Sequence, residues 1–505
     1  MSTKTAMQTQ GPLASRLARA AGAAALLAIW AGASLIAGSY LVPAPWTSAV
    51  DTALLLSQAF SWQQILVTLI RVCIGFCAGF SAGFTVGIAS GSRPGTAAFF
   101  QPIVQFFQGM PPLLWAIPLV ALMGIGHLPA IIVIGLITFP LVAVTIGEGM
   151  ATLPREYAEM LSVFAPGVLP RTRELVLPHL RPFLAASFKA GLVLAVKASV
   201  TAEYFGATNG IGFQIQSAYM SLRIRTLFAW AIVLVLVILV FTYGLPAIAR
   251  LGPALRRRLT PARMLKEPSP LPDRSVARFP STARPSHISL RGVAFSWPGD
   301  EALLGAIDLS VSAGSVAVIT GDSGIGKTTL LRVIAGLLLP SAGTLSRPDR
   351  LGYVFQDDRL LPWRSVEQNT ALPLAYEGRS RQEARHRARA FLAEVGLSGA
   401  EDRNPEELSG GMKKRASLAR CFARSPDAIL MDEPFSGLHA QARKSLWALF
   451  VQLLSRHPIP TVVVTHDPRE IESTSACTVY RLTGKPAHLE QVHRRSRRGS
   501  LRPSR

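Results

Sequence analysis

Eight consecutive residues, Gly321-Asp322-Ser323-Gly324-Ile325-Gly326-Lys327-Thr328, combine three glycines with an ammonium and a hydroxyl. Glycine lets a chain curl until its backbone N–H groups face one point, and that point is a site for phosphate. At this spacing Lys327 reaches the outer phosphates of a nucleotide, the Thr328 hydroxyl reaches Mg²⁺, and Thr329 continues the first turn of the following helix. A second stretch, "DAILMDEP" (427–434), ends in Asp432 and Glu433. Two carboxylates after a strand are ordinary when alone. Beside a phosphate cradle they divide the work of hydrolysis: Asp432 organises the metal shell, and Glu433 orients and deprotonates the attacking water.

These groups need elements that bring them together. The run 316–320 is apolar and β-rich, a glycine-rich turn follows, and a helical pattern begins near Lys327. That strand–turn–helix order is the setting the phosphate loop requires, and the helix adds its positive end. A second apolar strand delivers Asp432. The C-terminal part therefore reads as an α/β domain.

At "LSGGM" (408–412) the chain resembles the ATP-binding-cassette ATPases, and the resemblance extends over 287–484. It implies that Trp297 stacks on adenine and that Gln356, in "GYVFQDDRLLPW", senses Mg²⁺ and water. It implies that Ser409, Gly410, Gly411 and Met412 close over ATP bound to another copy. His466, in "VVVTHD", would hold the γ-phosphate and position the catalytic carboxylate. Three residues depart from the family pattern: Met412 replaces the usual Gln, Thr328 replaces Ser and keeps the hydroxyl, and His439 stands where the family has an Asp that couples two ATP sites.

The 505 residues fall into two unlike halves. From Ala20 to Gly147 the only Asp, Glu, Lys or Arg are Asp51, Arg71 and Arg93. Runs of about 18 or more apolar residues cross a bilayer as helices. Six such spans are expected, roughly 20–41, 64–90, 98–122, 128–149, 182–205 and 226–249, with Pro102, Pro111 and Pro112 interrupting the third. Gly75, Gly79, Gly83 and Gly87 repeat every fourth residue, a stripe that lets helix backbones approach. Arg16 and Arg19 before the first apolar run also fit a signal peptide, but six spans keep the N-terminus and the nucleotide-using domain on one side. In the fifth span stand Lys189, Lys197 and Glu203, which must face protein or water.

The net charge of +22 is concentrated: 250–284 contributes +7 and 494–505 contributes +6. Basic segments beside a membrane helix follow the positive-inside bias and attract anionic lipid, so the bilayer, not nucleic acid, is the expected partner. The four cysteines show no metal-type spacing.

Between the fourth and fifth spans lies "EYAEMLSVFAPGVLPRTRELVLPHL" (156–180), charged and proline-rich. It resembles the cytoplasmic coupling loop of importer permeases of the same superfamily. Glu159 opens the family's Glu-Ala-Ala triplet, Ala165 takes the place of a glycine, and Leu175, Leu177 and Pro178 match the ending. Tyr157, Met160, Leu161 and Phe164 form an apolar face for docking, and the resemblance places the docking cleft beside Gln356.

The expected fold is an N-terminal all-α membrane domain of six transmembrane helices (1–249, coupling loop 150–181). A basic Pro-rich linker (250–286), an α/β ATP-binding domain (287–484) and a disordered basic tail (485–505) follow. The expected function is ATP-driven import with ATP and Mg²⁺, as a homodimer in the cytoplasmic (inner) membrane, with solute delivered by a separate binding protein. "LLPW" (360–363) and "AEYFGATNGIG" (202–212) resemble the nitrate, sulfonate, taurine and thiamine-precursor branch. An exporter and a membrane-bound ATPase acting as a sensor are the rival readings.

Overall fold

The structure, a computed structural model, describes residues 12–165, 167–244, 287–466 and 477–492. The chain forms two compact units: one holds the residues up to Leu153 and resumes at His179, and the other takes Pro154–Pro178 together with the C-terminal part.

The first unit is helical: α1 (Pro12–Ala37), α2 (Pro45–Leu56), α3 (Ala59–Ser92), α4 (Pro94–Gly109), α5 (Pro112–Met123) and α6 (His127–Ala151). After the excursion of α7 (Arg155–Phe164) into the second unit come α8 (Val168–Gly206), whose residues up to Pro178 still belong to that second unit, α9 (Ile211–Met220) and α10 (Ile224–Gly244). Five described helices are long and apolar enough to cross a membrane, and six if α4 and α5 count as one. The expected third span is thus broken: α4 and α5 meet at 89°. Met110 (φ −92°, ψ 121°) and Pro111 (φ −60°, ψ 151°) are extended, because each precedes a proline that excludes the helical conformation.

The glycine stripe does what its spacing suggests. A Cβ on Gly75 would lie 2.6 Å from the Ile131 carbonyl, on Gly83 2.6 Å from that of Phe139, and on Gly87 2.8 Å from that of Ala143. α3 and α6 therefore touch backbone to backbone, and Val72, Phe76, Val133 and Ile134 form a core with Leu192, Ala195 and Val196 of α8.

Glu203 finds the partner that sequence could not supply. It receives Arg71 Nη1 at 2.8 Å, the Thr68 hydroxyl at 2.9 Å and the Gly212 amide at 2.9 Å. Arg71 Nε donates to His127 Nδ1 at 3.1 Å, and its other nitrogens hold Asn209. Gln64 accepts from the Gly210 amide. The two charged side chains are 1 % and 0 % exposed. Lys197 and Lys189 are exposed, the latter over the Tyr243 ring. Arg225 pairs with Asp51 at 2.7 Å.

In the second unit, β1 (His287–Ser296), β2 (Ala302–Ser312) and β4 (Ala342–Ser346) form an antiparallel sheet ordered β2-β1-β4. β3 (Val316–Thr320), β5 (Leu351–Val354), β6 (Ala428–Asp432), β7 (Thr461–Val464), β8 (Cys477–Thr483) and β9 (His488–Gln491) form a second sheet ordered β5-β6-β7-β3-β8-β9. Its strands are parallel except β9. Four of the parallel strands, β3, β5, β6 and β7, are buried throughout, as sheets covered on both faces are. The helices are α11 (Lys327–Ala335), α12 (Val366–Ala375), α13 (Arg381–Glu394), α14 (Gly410–Ala423) and α15 (Ala440–Arg456). β9 corrects the expected tail, which was drawn from 485: the chain adds an edge strand on β8, pairing Leu489 with Leu482, before 493–505, which lie outside the described residues. The expected linker 250–286 also lies outside them.

Candidate functional site

The phosphate loop joins the carboxyl end of β3 to the amino end of α11, and β6 delivers its carboxylates on the same sheet with β7 between them. Gly326, the residue before the helix, sits at φ 108°, and Gly324 at φ 80°, conformations side chains rarely adopt. Lys327 Nζ donates to the carbonyls of Gly321 (2.9 Å) and Asp322 (2.7 Å), folded over the loop where phosphate would lie. Burial lowers its pKa while Glu433, Asp432 and Asp322 oppose that shift. Ser323, Ile325 and Thr329 complete the loop and the first turn of α11.

Thr328 Oγ1 donates to Asp432 Oδ1 at 3.1 Å. Burial pushes the Asp432 carboxyl above the usual range, with the Thr328 bond opposing and the Glu433 charge adding. A buried carboxylate beside a hydroxyl is a donor pair for a hard divalent cation, so these residues fit Mg²⁺. Glu433 has φ 42°, a left-handed conformation held by its amide bond to the Val464 carbonyl at 2.9 Å. This aims its carboxylate at two groups: Gln356 Nε2 donates to Oε2 at 3.3 Å, and His466 Nε2 contacts Oε1. Glu433, Gln356 and His466, widely spaced in sequence, thus meet. Trp297, 41 % exposed, lies nearly perpendicular to the Phe295 ring.

Ser409 caps α14, accepting from the Met412 amide, and Gly410 and Gly411 have no neighbour where a Cβ would sit. Met412 packs against the hydrophobic core. His439 takes over a capping role: its Nδ1 accepts the Ala442 amide at the start of α15 at 3.3 Å. Sequence reasoning passed over Lys414, which bonds the Gln356 carbonyl and pairs with Asp358 at 3.5 Å. It also passed over Arg420, fully buried, which donates to the carbonyls of Asp358 (2.9 Å) and Arg359 (2.7 Å). Burial lowers the Arg420 pKa to about 10.

The segment 154–178 belongs to this unit. Met160, Leu161, Phe164 and Leu175 are at most 1 % exposed, and the Arg420 guanidinium lies 5.2 Å from the Phe164 ring centre. Tyr157 meets Trp363 edge-on. Arg424 donates to the Val163 carbonyl at 2.8 Å. The Glu159 carboxylate receives Arg332 of α11 at 3.2 Å and Arg359 at 2.9 Å. The left-handed turn falls on Gly167 (φ 127°), whereas Ala165, in the family's glycine place, has φ −145°. Leu177 is 45 % exposed and Pro178 closes the segment.

Residues 304–436 match the family described as ABC transporter, and residues 79–251 match the binding-protein-dependent transport system inner membrane component. An aliphatic sulfonates import ATP-binding protein, SsuB 3 of Paraburkholderia xenovorans, is 43 % identical over 201 residues, 39 % of this chain and 79 % of the relative. The chain belongs to the ABC transporter family. An SsuB 2 of Streptomyces avermitilis is 45 % identical over 36 % of this chain and 72 % of its own length. The taurine import ATP-binding protein TauB of Pseudomonas fluorescens is 40 % identical over 36 % and 73 %. This ABC transporter therefore fuses an import-type permease to its ATPase in one membrane-embedded chain. The ATPase is cytoplasmic and couples ATP hydrolysis to transport.

Proposed function

We propose that this ABC transporter imports a small solute of the nitrate, sulfonate or taurine class across the cytoplasmic (inner) membrane, as a homodimer supplied by a separate binding protein. The observation that carries the reading is the seat of 154–178 on an ATPase unit resembling SsuB and TauB. A loop that leaves the spans to dock beside Gln356 is an importer's coupling element, and the match of 79–251 to the binding-protein-dependent family supports import over the exporter and sensor readings.

The domain roles follow as proposed from sequence, with 1–249 as permease and the ATP-binding domain from 287 extended to include β9. Trp297 stacks on adenine, and the amides of 321–326 cradle phosphate. Lys327 exchanges its two carbonyl bonds for the outer phosphate oxygens. Mg²⁺, when bound with ATP, neutralises phosphate charge, and Thr328 Oγ1, Asp432 and Gln356 would hold it. Glu433 takes a proton from water, positioned by His466 and Gln356. Ser409, Gly410, Gly411 and Met412 close on the ATP of the other copy.

The test is uptake of labelled taurine and alkanesulfonates into proteoliposomes with candidate binding proteins inside or outside. Import should need both ATP and a binding protein. Glu433→Gln should bind ATP and lose turnover by roughly 10²-fold or more. ATP-dependent efflux without a binding protein would overturn the reading.

A further inference from the structure

We propose that Glu174 is a positioning residue that ties the coupling segment to the signature helix α14, separately from the tie Glu159 makes to the phosphate-loop helix α11. The proposal deepens the homodimeric importer reading and rests on it.

Glu174 is 4 % exposed and lies in the wide turn Thr172–Val176 at the start of α8. One carboxylate oxygen accepts the Tyr376 hydroxyl at 2.5 Å, and the other pairs with Arg364. Its backbone carbonyl accepts Trp363 Nε1 at 3.0 Å. Arg364 precedes α12, and Tyr376 caps the far end of the same helix. Glu174 thus holds α12 from both ends. The Tyr376 phenol is pushed up to about 12 by burial and by the Glu174 carboxylate, and remains a hydrogen donor.

α12 packs against α14, and α14 begins at the Ser409 cap. Glu159, by contrast, is bonded to Arg332 on α11, which begins at Lys327, and to Arg359, whose carbonyl accepts from Arg420; unlike Glu174 it makes no hydrogen bond or ion pair with α12 among the described residues. The two carboxylates stand on one segment but address two helices. α11 meets the nucleotide of its own chain. α14, on the dimer reading, meets the nucleotide of the other copy. When α14 shifts relative to α11, a segment anchored to both must turn. Without Glu174 the segment keeps its tie to α11 and the contacts of Phe164 and Val163 with Arg420 and Arg424 at the end of α14, but loses its hold on α12 and the part of the α14 movement that α12 relays.

The experiment uses the full chain in proteoliposomes with Glu174→Gln, Arg364→Glu, and the exchange Glu174→Arg with Arg364→Glu. Gln keeps an acceptor for Tyr376, so the thermal midpoint and solute-free ATPase should stay within about twofold of the parent, while solute moved per ATP falls about fivefold or more. Arg364→Glu should uncouple similarly, and the exchange should recover coupling. Wild-type coupling in Glu174→Gln, or uncoupled singles that the exchange does not rescue, overturns the proposal. A second readout needs no cargo. Spin labels at Ser162→Cys and Ser221→Cys, in a Glu433→Gln chain without native cysteines, should report an ATP-dependent distance change that Glu174→Gln reduces by about half or more. A change of full size in that variant, or none in the parent, overturns the proposal. If the parent moves no sulfonate yet shows the change, the cargo reading fails and this one stands.

Discussion

Two arginine–carboxylate clusters anchor the molecule, and they are built differently. Around Glu203 and Arg71, the described polar partners come from α3, α6, α8 and the turn into α9, and neither charge reaches solvent. Around Glu159 the carboxylate and Arg332 are about one-third exposed while Arg359 is nearly covered, and a single carboxylate oxygen is shared by the two arginines. The first arrangement spends four Arg71 hydrogen bonds inside the cluster and resists rearrangement, because a charge left alone inside a span is costly. The second can lose one partner and keep the other, as a joint that moves must. Electrostatics seals one region and, on the proposed coupling role of Glu159, would articulate the other.

The largest effect should come from breaking the sealed cluster on one side. Arg71→Met leaves Glu203 without its cation, a loss of about 3–5 kcal/mol. Folded chain in the membrane should fall sharply by fluorescence-detected size exclusion, and Arg71→Met with Glu203→Leu should recover much of it. Normal levels in the single variant would erase the contrast. A smaller effect is expected at the articulated joint: Glu159→Ala should leave the chain folded and lower solute moved per ATP by roughly tenfold. Unfolding there would show that both clusters are structural. The smallest effect belongs to the exposed Arg225–Asp51 pair, where Asp51→Asn should leave the thermal midpoint unchanged because solvent screens such pairs.

Much of the ATP site was legible because its parts are local. Lys327 and Thr328 follow a strand by a fixed number of residues, and Asp432 ends another strand of the same sheet, so their convergence follows from parallel pairing. The apolar face of α7 was equally readable from spacing. Its docking cleft was expected only through the resemblance, beside Gln356, and the individual partners there were not read. Arg332, Arg359 and Arg364 carry no pairing signal, since an arginine that will pair across a fold looks like one that faces water, and nothing in "LLPW" says that Trp363 will donate to the Glu174 carbonyl. Glu203 stood out in its span, but its partner lies 132 residues away on α3 and is selected by helix packing. The break between α4 and α5 was hinted at by prolines whose angular consequence only the three-dimensional path reveals. β9 escaped notice because four residues of mixed polarity at a sheet edge resemble the basic tail that follows.

The close seam between α3 and α6 has a mechanical consequence. Backbones in van der Waals contact from Gly75 to Gly91 cannot slide without collision, since Gly91 faces Gly147 as Gly75 faces Ile131. The two helices behave as a single stiff beam. On the proposed import reading, alternating access would have to come from tilting that beam as a whole, with bending left to its ends, at Arg93 before α4 and at Gly126 before α6.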